Sequence, residues 1–231
     1  MRLADTPVPA RAGGDAVQAG TVPAGSVPAG TEPAAGAEPA FAAAVAALEA
    51  GRDEVAEVRD DLVFEDHPAP KRLAPHAAAL MVTAYRDGEE AGTARLVLLH
   101  DPGGQDGWTG TFRVVAQVHA DVEEEMAADP LLGEVGWSWL TDALDLHAPG
   151  YAAPSGTVTR VITEGYGAKS DDPPATGFEL RASWCPADDG EGDEIAAEIG
   201  GAVAAWCELL ASAAGLPAAG TVAIGSQGRR R

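Results

Sequence analysis

Lysine is nearly missing from this chain. Lys71 and Lys169 are the only two in 231 residues, and arginine supplies the rest of the 15 basic side chains. Against them stand 36 acids, a net charge of −21. A field this negative repels phosphate backbones and anionic lipid surfaces, so nucleic acid and membrane are excluded as expected partners. It favours solubility and fast encounter with a basic partner. Cysteine is scarce too. Cys185 and Cys207 alone make no disulfide framework, and both are expected reduced, small and buried. No apolar run follows Arg2, so no secretory signal is read. The most apolar N-terminal stretch, Phe41 to Leu48, falls far short of the ~20 residues of a membrane span. The expected location is the cytoplasm.

Site motifs are absent as well. His67, His76, His100, His119 and His147 show neither HxH nor HExxH spacing, so no metal is expected. The glycines at 103, 104 and 107 form neither GxGxxG nor a P-loop, and DPGGQDG lacks the alternating oxygens of a calcium loop. No cofactor is expected. Gly136-Trp137-Ser138-Trp139-Leu140 lacks the second glycine of a nucleophile elbow and falls inside a helical pattern.

What is present divides the chain in three. Residues 1–38 are rich in Ala, Gly and Pro, and Ala19 to Pro33 reads AGTVP-AGSVP-AGTEP. A proline in every unit blocks a helix, and small side chains bury too little area to offset ordering entropy. This part is expected to be a disordered tail. Residues 39–219 read as a single α+β domain, and residues 220–231 as a loose C-terminal tail.

Within the domain, Pro39 opens a helix with Phe41, Val45 and Leu48 on one face and Gly51 as its expected stop. Leu62-Val63-Phe64 could be a short strand. Leu80 to Tyr85, Thr93 to His100 and Thr111 to His119 are predicted strands, with Asp87-Gly88 a turn between the first two. Asp121 with Glu124 resembles a capping box, and Asp129-Pro130 reads as the entry to a helix reaching about Leu146. Thr157 to Glu164 and Phe178 to Trp184 are further strands. Ile195, Ile199, Val203, Trp206 and Leu210 define a last amphipathic helix ending near Gly215. The order α-βββ-α-ββ-α predicts an antiparallel sheet of about five strands with helices mainly on one face.

The stretches RLVLLHDPGG (95–104), WTGTFRVV (108–115), MAADPLLGEVGWSWL (126–140), GTVTR (156–160), RASWCP (181–186) and AWCELLASAAGLP (205–217) carry a resemblance. Over about residues 41–217 the chain resembles an actinobacterial domain-of-unknown-function family. That family has no assigned activity, so the resemblance implies no catalytic residues. The order of elements is also similar to that of type III secretion chaperones, which bind polypeptides and catalyse nothing.

Two surfaces stand out. Arg95, Arg113 and Arg181 fall on the polar side of half-buried strands. There they either bind a carboxylate or phosphate or pair with cross-strand acids such as Glu179. His100, Asp101 and Trp108 bracket a Gly-rich loop, the kind of place where sites gather, although Asp-Pro-Gly-Gly is also ordinary turn chemistry. Trp137 lies off the apolar face of its helix, and is either an interface residue or packed under a loop or on the first helix. No catalytic constellation emerges, and whether the chain is an enzyme stays open. The favoured reading is a non-enzymatic protein-interaction module with an acidic surface, meeting a protein partner or a second copy. The alternative is a binder of, or enzyme acting on, a small anionic metabolite through the strand arginines and the His100–Trp108 loop.

Overall fold

Side chains alternate across a strand, so the residues paired side by side in a sheet share one of its two faces. The computed structural model describes residues 37–171, 174–186 and 192–218. In chain order the elements are α1 (Ala37–Val58), β1 (Leu62–Asp66), β2 (His76–Arg86), β3 (Glu89–His100) and β4 (Phe112–Asp121). Then come α2 (Glu124–Ala128), α3 (Leu132–His147), β5 (Ala152–Thr163), a 3-10 turn (Gly167–Lys169), β6 (Ala175–Cys185) and α4 (Gly192–Ala213). The residues read as terminal tails, apart from Ala37 and Glu38, lie outside the described residues.

The architecture is the expected α+β, with a wholly antiparallel open sheet ordered β1-β2-β3-β4-β6-β5. It has six strands rather than about five. The added strand is β1, whose three apolar residues sit among Asp60, Asp61, Glu65 and Asp66, too short a run for alternation to show. Asp87 and Gly88, both at positive φ (55° and 86°), close the β2–β3 hairpin as the sequence predicts.

Register defines an apolar face. Rows Leu80-Leu96-Ala116-Ala182 and Val82-Ala94-Val118-Leu180 run across β2, β3, β4 and β6, and all eight residues are buried. On them lies α4, whose Ile199, Val203, Trp206, Leu209 and Leu210 are fully buried in the same core. Helices α1 and α3 flank α4, so all three long helices cover one side of the sheet. Within α4, Glu194–Ala213 is long and apolar enough to cross a membrane, but half of that stretch is buried and the helix packs as the core helix. It ends as predicted. Gly215 takes φ +65°, and the Leu216 N–H donates to Ala211 O in a Schellman closure.

Three local expectations are corrected. Helix α1 passes through Gly51 to Val58, because Gly51 is a contact residue and not a stop. A Cβ there would meet Gly200 O at 2.7 Å. The Asp121–Glu124 pair makes no capping box, since α2 starts with no side-chain cap bond at Glu123. Asp129 acts before α3 and not at its first turn: its Oδ1 accepts from the Leu131 N–H at 2.8 Å.

Glycine substitutions separate contact from flexibility. Gly51→Ala is expected to lower stability by about 1–3 kcal/mol in denaturant unfolding, because backbone and not a movable side chain occupies the space. Gly133→Ala, with nothing within 4 Å, is expected to raise it by about 0.5–1 kcal/mol. Equal effects at both sites would contradict the close α1–α4 approach.

Candidate functional site

Opposite the helices, register places Arg95, Gln117 and Arg181 in one row and Thr93, His119 and Glu179 in the next. Arg113 shares this face four residues along β4 from Gln117. The three predicted arginines are thus on one face, but Arg113 is ~13 Å along the strand from the other two.

Connections cover one end of this face. Arg95 donates through Nη2 to Pro68 O (3.2 Å), and Gln105 Nε2 donates to Leu73 O (3.0 Å). These bonds tie residues 67–75 and the loop after β3 over the sheet, where Val97 and Leu99 are buried although no long helix lies there. Arg113 is the hub of that loop. It donates to Ser183 Oγ (2.8 Å), Ser155 Oγ (3.3 Å), Cys185 Sγ (3.3 Å) and Gly107 O (3.3 Å). The Thr109 N–H also reaches the buried Cys185 Sγ at 3.2 Å.

The expected acid partner appears only for Arg181, and on its own strand: its Nη2 lies 3.6 Å from Glu179 Oε2. Glu179 in turn lies 3.8 Å from His119, which is 3.9 Å from Asp121. All four are solvent-accessible, so the chain of contacts is worth a few tenths of a kcal/mol per pair at most. Among the described residues Arg95 and Arg113 contact no carboxylate within ion-pair distance, and Arg95 Nε is buried without a hydrogen-bond partner.

The loop residues separate. His100 belongs to the opposite face. It is 2% exposed and sits in a row of rings: Phe112 at 4.2 Å, His76 at 5.5 Å and Phe41 at 6.0 Å. Asp101 closes its own turn, accepting from the Gly103 N–H (3.1 Å) and Gln105 Nε2 (3.0 Å). Trp108 is half-buried at the loop's end. Trp137 is partly buried against the core. It covers Gly156 of β5, where a Cβ would stand 2.8 Å from its ring. Among the described residues no group of three or more His, Cys, Asp or Glu side chains is placed to hold a metal.

Sequence reading missed a groove of about 850 Å³ in the helical layer, lined by Gly51 and Val55 of α1 and by Gly200, Ala204, Cys207 and Glu208 of α4. Its only sequence signal is the run of small residues along α4, which also reads as plain helix packing. Arg59 grips Asp61 with two 2.8 Å bonds at its rim, and His147 Nε2 lies 2.6 Å from Glu208 Oε2. Burial pushes the Cys207 thiol well above the ordinary range, against a smaller opposing pull from the Arg59 charge.

The fold is that of a two-layer α+β protein whose sheet has one helix-covered side and one side partly crossed by loops. The chain belongs to the family described as protein of unknown function DUF3000, which it matches over residues 37–223. No curated protein and no solved structure matches it, so the likeness to secretion chaperones stays one of element order.

Cys207 gives a test of this geometry. A thiol that stays protonated when folded, but ionises when unfolded above about pH 9.0, holds the extra proton in the native state. Stability is therefore intact below that pH and falls as pH rises past it, by up to ~1.4 kcal/mol per pH unit. Cys207→Ala is expected to flatten that decline in denaturant titrations at pH 8 to 10. A wild-type thiol that reacts with a disulfide reagent under native conditions as fast as in denaturant would contradict the burial.

Proposed function

We propose that this chain is a cytoplasmic, non-enzymatic protein-interaction module that meets its partner on the uncovered part of the sheet face. One observation carries the reading: Gln117, His119, Thr157, Thr159 and Arg181 stand exposed on neighbouring strands, with no layer over them among the described residues. A rigid, pleated surface with alternating donors and acceptors suits an extended or helical segment of another protein. The negative field of the whole chain steers a partner with basic surroundings, while the mixed charges of the face set its register.

With the full chain as bait in an extract of its own cells, a captured partner should be lost on Gln117→Glu with Arg181→Glu, the melting temperature staying within a degree or two. It should also elute as salt rises from 0.05 to 0.5 M, a range that shortens electrostatic reach several-fold. Capture unaffected by the double variant would place the contact elsewhere and refute the assignment of this face.

The unpartnered Arg95 Nε, and the lack of an ion-paired acid at Arg95 and Arg113 among the described residues, favour one other reading, a small anionic metabolite held at this face. A thermal-shift series with phosphates and di- and tricarboxylates addresses it. A true ligand at 100 times its dissociation constant adds about 2.7 kcal/mol. A shift that survives Arg113→Ala and Arg95→Ala would exclude the arginines.

A further inference from the structure

The two edges of an open sheet present unpaired backbone donors and acceptors, and natural proteins protect such edges by shortness, charge or bulges. At one edge, β1 is protected: it is five residues long and ends Glu65-Asp66 just after Asp60-Asp61. At the other edge, β5 is not. It runs twelve residues, Ala152–Thr163, none of them buried, and among the described residues no strand pairs with its outer side. Its irregularity is confined to the start, where Ala153 takes φ 49° and Pro154 follows. From Gly156 to Thr163 the pairing with β6 is unbroken. Gly-Thr-Val-Thr-Arg-Val-Ile-Thr is strongly strand-forming.

Charge identifies the occupant. In a chain of net −21, two copies repel across almost any pair of surfaces. Residues 152–163 hold a single charge, Arg160, and its guanidinium is folded back onto its own chain, donating to Asp129 O at 2.8 Å. Beside the edge lies a shallow hollow of Ala127, Ala128, Val158 and Ile162. Ile162 is 53% exposed.

We propose that a second copy of this chain pairs antiparallel along β5, joining the two sheets into one. A two-fold axis normal to the sheet sets helix side beside helix side. The Val158–Ile162 rows of both copies then meet each other, and the Thr157–Thr159 rows do the same. Centring the pair on Thr159 sets each Arg160 opposite Val158 of the other copy, so the two guanidinium groups, each held on Asp129 O, are diagonal and not directly opposed. This contact does not rest on the open-face reading, and either one stands without the other. The area is small, so association belongs in the micromolar range.

Sedimentation of the full chain from about 1 to 200 µM tests it. The wild type is expected to shift from 23.4 kDa toward twice that mass, more readily at higher salt. Thr159→Lys is expected to weaken association at least ten-fold while leaving the melting temperature of the dilute protein unchanged. Thr159→Cys should form a reducible cross-linked dimer on mild oxidation, since the native cysteines are buried. A wild type that stays monomeric at the highest concentration overturns the proposal, as does a dimer untouched by Thr159→Lys or a Thr159→Cys chain that does not cross-link.

Discussion

Everything in this molecule is arranged around one contact, the burial of α4 on the middle strands of the sheet. The helix contributes Ile199, Val203, Trp206 and Leu210, and the sheet answers with Leu96, Leu98, Val114, Ala116 and Val118, all essentially without exposed surface. Each large aliphatic side chain so buried gains ~1.5–3 kcal/mol, which makes this seam the main opponent of chain entropy. The flanking helices α1 and α3 pack chiefly on α4, so their placement is inherited from it. The seam also decides where function can lie. One face of the sheet is consumed by the core, and only the other face, the outer surface of the helices and the two sheet edges are left to meet another molecule.

Small residues set the distances in that layer. Gly51 of α1 meets Gly200 of α4, and Gly201 lies so close to the end of α3 that a Cβ would stand 1.9 Å from His147 O. These approaches bring three helices close together over a sheet whose central rows are rich in alanine and valine. The groove lies beside the α1–α4 contact, lined by Gly51 and Gly200 together with Val55, Ala204 and Cys207.

The fold was legible wherever periodicity was long. The alternation Phe178-Leu180-Ala182-Trp184 and the steps Ile195-Ile199-Val203-Trp206-Leu210 each identify an element and its buried side, and the structure agrees with both. Short or dual-purpose signals were not legible. Strand β1 has too few residues for a period. Gly51 reads as a terminator because sequence cannot distinguish a glycine that ends a helix from one that admits a neighbouring helix. The site was legible only in part. Strand parity alone puts Arg113 and Cys185 on the polar side, but that they touch depends on β6 inserting between β4 and β5, a choice of strand order that local pattern does not encode. The same ignorance of order hides the fact that β5 is an edge.

The arginines connect these threads. In a chain with so many carboxylates, ion pairing would seem to be their natural use, yet four of them donate to backbone carbonyls: Arg86 to Ala214, Arg95 to Pro68, Arg113 to Gly107 and Arg160 to Asp129. A planar guanidinium with five donors can hold a connection against a sheet and still satisfy itself, which a lysine ammonium on a flexible stem does less well. At these four positions the connection uses arginine's geometry and not its charge alone. It also has an electrostatic consequence. Cations committed to carbonyls are not lined up against individual acids: among the described residues none of these four arginines lies within ion-pair distance of a carboxylate. The β5 edge is the contrasting case, because residues 152–163 hold no acid at all. A stretch of backbone without acids carries the smallest like-charge penalty when another acidic chain approaches it.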